Sequence, residues 1–121
     1  MHLLPFAYLA YRERVRVDIS SEAADFVRAR GGRLWVWAAY ARMCCSGSPA
    51  WMHAATAPPS DLPRGLEDFA AISAGGAAAD DVQIFFRPLH GAAPDILEIA
   101  MHGRRNPKVQ AYWDGCLMAM A

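Results

Sequence analysis

The segment Arg33–Tyr40 constrains the fold more than any other part of the chain. Its sequence, Arg-Leu-Trp-Val-Trp-Ala-Ala-Tyr, is apolar at odd and even positions alike. Side chains alternate between the two faces of a strand, so a strand that is apolar on both faces lies inside a sheet. Tryptophan, valine and tyrosine also favour a strand over a helix. We therefore predict a central strand here. The tryptophans are expected in the core: Trp35, Trp37, Trp51 and Trp113.

One strand and one helix are predicted before this central strand. Charged and apolar residues alternate over residues 14–19, which is typical of a half-buried strand. Ser20 or Ser21 then offers a hydroxyl that caps the free amides of a helix N-terminus. Gly31 and Gly32 follow the amphipathic segment and indicate where the helix ends.

Further β-rich runs follow the central strand. They are Ala50–Ala55, Val82–Phe86, Ile96–Met101 and Val109–Trp113. Prolines between the first two runs predict a loop, and residues 66–72 fit either a short helix or a strand. One helix with about six or seven short strands predicts an α+β fold that is predominantly β. Residues 1–13 are predicted to be an N-terminal extension, and residues 14–121 a single domain.

The charge balance and the cysteine count limit the class of protein. With 12 basic and 12 acidic residues the formal net charge is zero, which gives no electrostatic basis for binding nucleic acid or an anionic membrane. The N-terminal apolar stretch is broken by Pro5 and is shorter than the roughly 20 residues that span a bilayer. Three cysteines are too few for a disulfide framework. We expect a cytoplasmic protein with reduced thiols.

These cysteines are the residues best suited to carry chemistry. Cys44 and Cys45 are adjacent and precede Ser46-Gly47, while Cys116 follows Asp114-Gly115 near the C-terminus. Thiolates act as nucleophiles, redox centres and ligands for soft metals. Neighbouring side chains of an extended chain point to opposite faces, so at least one thiol of the pair should face a cleft or solvent. The alternative is that the cysteines are small buried hydrophobes.

Other motifs with a chemical role are missing from the sequence. It contains no C-x-x-C and no H-x-x-x-H spacing, so a zinc finger is unsupported. It also lacks a G-x-S-x-G elbow, a P-loop and a dinucleotide-binding glycine fingerprint. His53 and His102 lie in or beside predicted strands and are interpreted as structural residues.

The order of elements and short motifs resembles a known family. Residues 19–24 open the helix, Gly31-Gly32 ends it, and a strand leads to Cys45-Ser46-Gly47. Gly115-Cys116 lies near the end of the chain. This arrangement resembles the HesB-like domain of A-type iron–sulfur carriers, which has a Cys-Ser-Gly turn at this place and a Cys-Gly-Cys near its C-terminus. Cys116 matches the last family cysteine, and the other C-terminal one is missing. The doubled cysteine is similar to small HesB-like proteins with a Cys-Cys pair.

The resemblance implies a fold, a site and partners. The fold is a β-sandwich of short strands with one N-terminal helix. The site consists of Cys44, Cys45 and Cys116 and binds iron or an iron–sulfur cluster, with a homodimer completing the ligands. Partners are a client apo-protein or the assembly machinery, and the activity is carriage, not catalysis. Two alternatives stay open: a thiol–redox protein with Cys116 as the resolving thiol, and a non-catalytic interaction module.

Overall fold

The computed structural model of the protein describes residues 15–40, 50–62, 65–73, 81–89 and 92–119. The elements in these ranges are β1 Arg16–Ile19, α1 Ser21–Ala29, β2 Arg33–Tyr40, β3 Ala50–Ala55, β4 Ala70–Ile72, β5 Gln83–Arg87, β6 Ile96–His102 and β7 Lys108–Trp113. The ambiguous residues 66–72 form a turn followed by β4. The prediction of a predominantly β, α+β fold is confirmed. Residues 1–13, the predicted extension, lie outside the described residues.

The strands form two mixed sheets. In the three-stranded sheet, β6 lies between β1, which runs parallel to it, and β7, which runs antiparallel. The four-stranded sheet has the order β3-β2-β5-β4, with β2 antiparallel to β3 and parallel to β5. A strand therefore flanks β2 on each side, and the prediction of a central strand is confirmed.

The helix α1 connects the two sheets. The Ser20 hydroxyl accepts a hydrogen bond from the Ala23 amide at 3.1 Å, which confirms Ser20 as the N-cap. At the other end the Gly32 amide donates to the Val27 carbonyl at 2.9 Å, and Gly31 takes a φ of 111°. A positive φ is readily adopted by glycine, so the helix ends where the sequence predicted. Its buried face packs against β2 and β6.

Both sheets contribute to one core. Val36 and Phe86 come from the four-stranded sheet and Leu97 and Trp113 from the three-stranded sheet, each with no more than 1% of its surface exposed. The rings of Phe86 and Trp113 lie 6.4 Å apart and join the two sheets through the core. Burial of these large side chains supplies much of the stability of the fold.

The tryptophans differ in burial, which corrects the expectation that all four are core residues. Trp113 is 1% exposed and Trp35 8%, whereas Trp37 is half-buried and Trp51 is 40% exposed. The reason is strand alternation, because Val36 faces the core and its neighbours in β2 face the opposite side of the sheet. We call this opposite side, which carries Trp35 and Trp37, the outer face.

Candidate functional site

Cys116 lies at the end of a tight hairpin turn after β7. Trp113 and Cys116 exchange two backbone hydrogen bonds, of 2.7 and 2.9 Å. Asp114 and Gly115 between them have φ values of 47° and 85°, which define the type I′ turn that Asp-Gly favours. Asp114 is bonded to Ile96 twice, because its amide donates at 3.0 Å and its Oδ1 accepts at 2.8 Å. These bonds fix the backbone of Cys116, whose thiol is free and exposed.

The three residues that follow Cys116, here called the C-terminal tail, pair with the start of β3. The Met52 amide donates to the Leu117 carbonyl at 2.8 Å, and the Ala119 amide donates to the Ala50 carbonyl at 2.8 Å. Because the turn at Cys116 is also paired to the end of β7, the tail links an edge of one sheet to an edge of the other. No motif in the sequence indicates this connection.

The tail also lies beside the strand that follows the predicted cysteine pair. Cys44 and Cys45 belong to the connection between β2 and β3 and lie outside the described residues. Cys45 precedes Ala50 by five positions, which a chain spans with at most about 18 Å. Cys116 lies three positions before Ala119, the residue bonded to Ala50, or about 10 Å along an extended chain. The expected convergence of Cys116 with the pair, to within about 10 Å, stays a prediction.

A row of side chains crosses the outer face of the four-stranded sheet. In register, His53 of β3 and Arg87 of β5 flank Trp37 of β2. The rings of Trp37 and His53 stack at 5.4 Å, and Phe69 meets Trp37 edge-on at 6.2 Å. The Arg87 guanidinium lies 5.7 Å from the Phe69 ring centroid and donates to the Ala38 carbonyl at 3.1 Å. We call His53, Trp37, Arg87 and Phe69 the outer-face row. Strand alternation indicates the shared face, but only the strand register brings these residues together.

The outer-face row disfavours a charge on His53. Partial burial lowers the pKa of His53, the Asp61 carboxylate opposes this effect, and the Arg87 guanidinium adds to it. Partial burial also lowers the pKa of Arg87, against the attraction of Asp68. The neutral imidazole stacked on Trp37 is therefore the form that the folded protein favours.

We expect the protein to lose stability as the pH falls through about 6.5, the ordinary pKa of histidine, and His53 to cause part of that loss. Because the pKa of His53 is lower in the folded chain, the unfolded chain takes up the proton first and the free energy of unfolding falls. Above that pH, His53 is neutral in both the folded and the unfolded chain, so its contribution to the free energy of unfolding no longer changes with pH. Thermal melting at about pH 7.5 and about pH 5 measures it.

The matched variants for this measurement are His53→Gln and His102→Gln. The Tm difference between the two pH values should shrink in His53→Gln. The same measurement on His102→Gln controls for the loss of a histidine that lies outside the outer-face row. The prediction would be contradicted if the Tm of the His53→Gln protein changed between the two pH values as much as that of the wild type.

Comparisons with protein-family models, with curated proteins and with solved structures found no match. Among the described residues, no three His, Cys, Asp or Glu side chains are grouped so that they could hold a metal ion. No helix in the described ranges has both the length and the apolar character needed to cross a membrane.

Proposed function

We propose that this protein binds iron or an iron–sulfur cluster through the thiolates of Cys44, Cys45 and Cys116. The observation that carries the proposal is the pairing of the C-terminal tail with the start of β3. This pairing holds the segment of Cys116 next to the strand that follows the vicinal pair. Thiolates are the preferred ligands of iron–sulfur clusters, so the three cysteines suit this cargo.

The environment of Cys116 supports a site from which iron or an iron–sulfur cluster can be transferred to another protein. The thiol is exposed, and the turn that carries it is fixed by the paired bonds of Trp113 and of Asp114. A fixed backbone orients the ligand, while exposure lets an incoming thiolate of another protein reach the metal. Transfer of a labile cluster needs no bond chemistry on a substrate, so the protein acts as a carrier and not as an enzyme.

A second copy of the chain would complete the ligand set. An iron–sulfur cluster takes four thiolates, and each chain supplies three cysteines. Exposed apolar side chains lie on the tail and on the neighbouring strands: Leu117 at 41%, Met118 at 38%, Trp51 at 40% and Tyr40 at 54%. The Leu117 carbonyl accepts a hydrogen bond from β3, and the next residue, Met118, lies opposite Trp51. Apolar area of this kind favours contact with another protein surface, and a two-fold homodimer uses the same surface twice.

The proposed setting is the cytoplasm, where the three cysteines stay reduced. The carrier would receive its cargo from assembly machinery and pass it to a client apo-protein. Neither nucleic acid nor a membrane belongs to this proposal, because the net charge of zero gives no overall electrostatic attraction to either of them.

Anaerobic reconstitution with ferrous iron and sulfide tests the proposal. After desalting, the wild-type protein should retain iron in a fixed ratio to chains and show visible thiolate-to-iron absorption. A variant with all three cysteines replaced by serine is the control and should retain none. Loss of all iron from the wild type on desalting would contradict the proposal. If the wild-type protein retains no iron but forms a Cys44–Cys45 disulfide that a reductant reverses, the result would support the thiol–redox alternative. Thiols of the pair that stay unreactive in the folded protein would support the interaction module.

A further inference from the structure

The turn between β6 and β7 forms a compact basic surface, here called the basic tip (residues 102–108). All its residues are exposed, and it carries Arg104, Arg105 and Lys108 but no acidic residue. In the described parts of the chain, none of these three cations makes an ion pair. Because the whole chain has no net charge, the tip is a local concentration of positive charge.

The backbone of the basic tip is preorganised. His102 and Lys108 face each other in register at the base of the turn. Gly103 has a φ of 100°, and a Cβ there would lie 3.2 Å from the Asn106 carbonyl oxygen, so the chain folds back tightly at this point. Pro107 fixes its own φ. Charges on an ordered turn lose less conformational entropy when they bind than charges on a mobile one.

We propose that the basic tip docks an acidic surface segment of a partner protein. Three cations on one short turn match two or three neighbouring carboxylates. A nucleic acid is a poorer match, because its phosphates would extend beyond the three cations and the tip has no Phe, Tyr or Trp ring for a base to stack on. A lipid surface would need an apolar side chain or further charges for stable binding.

The proposal is independent of the thiolate site. The basic tip lies at one end of β7 and the turn of Cys116 at the other, separated by about 17 Å of extended strand. At physiological salt, charges at this separation are largely screened from one another. Removing the basic tip should therefore leave iron retention unchanged, and losing iron should leave the binding of an acidic segment unchanged.

Titration of the ¹⁵N-labelled protein with a hexaglutamate peptide, followed by amide chemical shifts at low and at physiological salt, tests the docking surface. We expect saturable shifts confined to residues 102–109 and weaker binding at the higher salt. In the variant Arg104→Ala/Arg105→Ala, affinity should fall roughly tenfold, within the range expected for the loss of two exposed charge contacts. Dispersed amide spectra of the variant show that it is folded.

The matched control is Arg33→Glu, which lowers the net charge by the same two units at an exposed residue away from the tip. It should bind the peptide within about twofold of the wild type. An equal loss in Arg33→Glu, shifts scattered over the surface, or an absence of saturation would overturn the proposal. So would equally tight binding, at the same residues, of a single-stranded DNA hexamer or of phosphatidylserine vesicles, because those results would assign the tip to a nucleic acid or to a membrane.

Discussion

Replacing Trp113 with alanine is expected to destabilise the protein by about 3–5 kcal/mol, the range for removing a large buried aromatic side chain. Trp113 is 1% exposed, packs against Phe86 of the other sheet, and forms the first pair of the turn that leads to Cys116. Its loss would leave a cavity between the two sheets, where neither sheet can close the gap without moving the other. Urea or guanidinium denaturation measures the change in the free energy of unfolding.

Two other tryptophans give the scale for this measurement. Trp51→Ala removes a side chain that is 40% exposed and should cost about 1 kcal/mol or less. Trp37→Ala removes a half-buried ring with its stack on His53 and should fall between the two variants. A Trp113→Ala protein no less stable than Trp51→Ala would show that the core does not lie between the sheets.

Replacing Cys116 with serine is expected to reduce retained iron to background while leaving the fold intact. The Cys116 side chain is exposed, so the free energy of unfolding should change by no more than about 0.5 kcal/mol. Serine is a poor ligand for iron in a thiolate site, so the variant should lose iron binding and keep its stability. Metal analysis after anaerobic reconstitution measures the iron, and thermal melting checks the fold. Cys45→Ser should have the same effect.

The matched control for Cys116→Ser is Met118→Leu, which removes another exposed sulfur from the same end of the chain. It should retain iron as the wild type does, because a thioether is not part of the proposed ligand set and leucine keeps the side chain apolar at the proposed dimer surface. Full iron retention in Cys116→Ser would remove this residue from the site. Unfolding of Cys116→Ser would mean that the cysteine is a structural residue instead.

Much of the fold is predictable from local patterns. Ser20 and the two glycines after α1 fix the ends of the helix because capping and positive φ depend on residue type alone. The two-faced apolar pattern of β2 correctly predicts a strand with neighbours on both sides. The burial of individual tryptophans was predicted wrongly for Trp37 and Trp51. Alternation gives each strand two faces, but it does not tell which face meets the core when both are apolar.

The candidate site was less predictable, because it depends on pairing between distant segments. Asp114-Gly115 is a strong hairpin motif, and it could have indicated that the chain turns back after β7. The pairing of Leu117 and Ala119 with β3 could not be predicted, since the tail is too short to show periodicity. The outer-face row likewise depends on the register between β2, β3 and β5, which the side-chain pattern of any one strand does not contain.

The parallel pairs of strands affect how the chain folds during its synthesis. Arg16 pairs with Ile96, and Arg33 pairs with Gln83. The first strand of each sheet therefore has a parallel partner that is synthesised much later. A nascent chain that ends before β5 carries β1 and β2 with unpaired edges and exposed apolar faces. Folding is therefore expected to begin only once β5 and β6 have been made, and to take milliseconds to seconds, as in other proteins with distant strand pairs. Until then the nascent chain exposes apolar surface of the kind that chaperones bind.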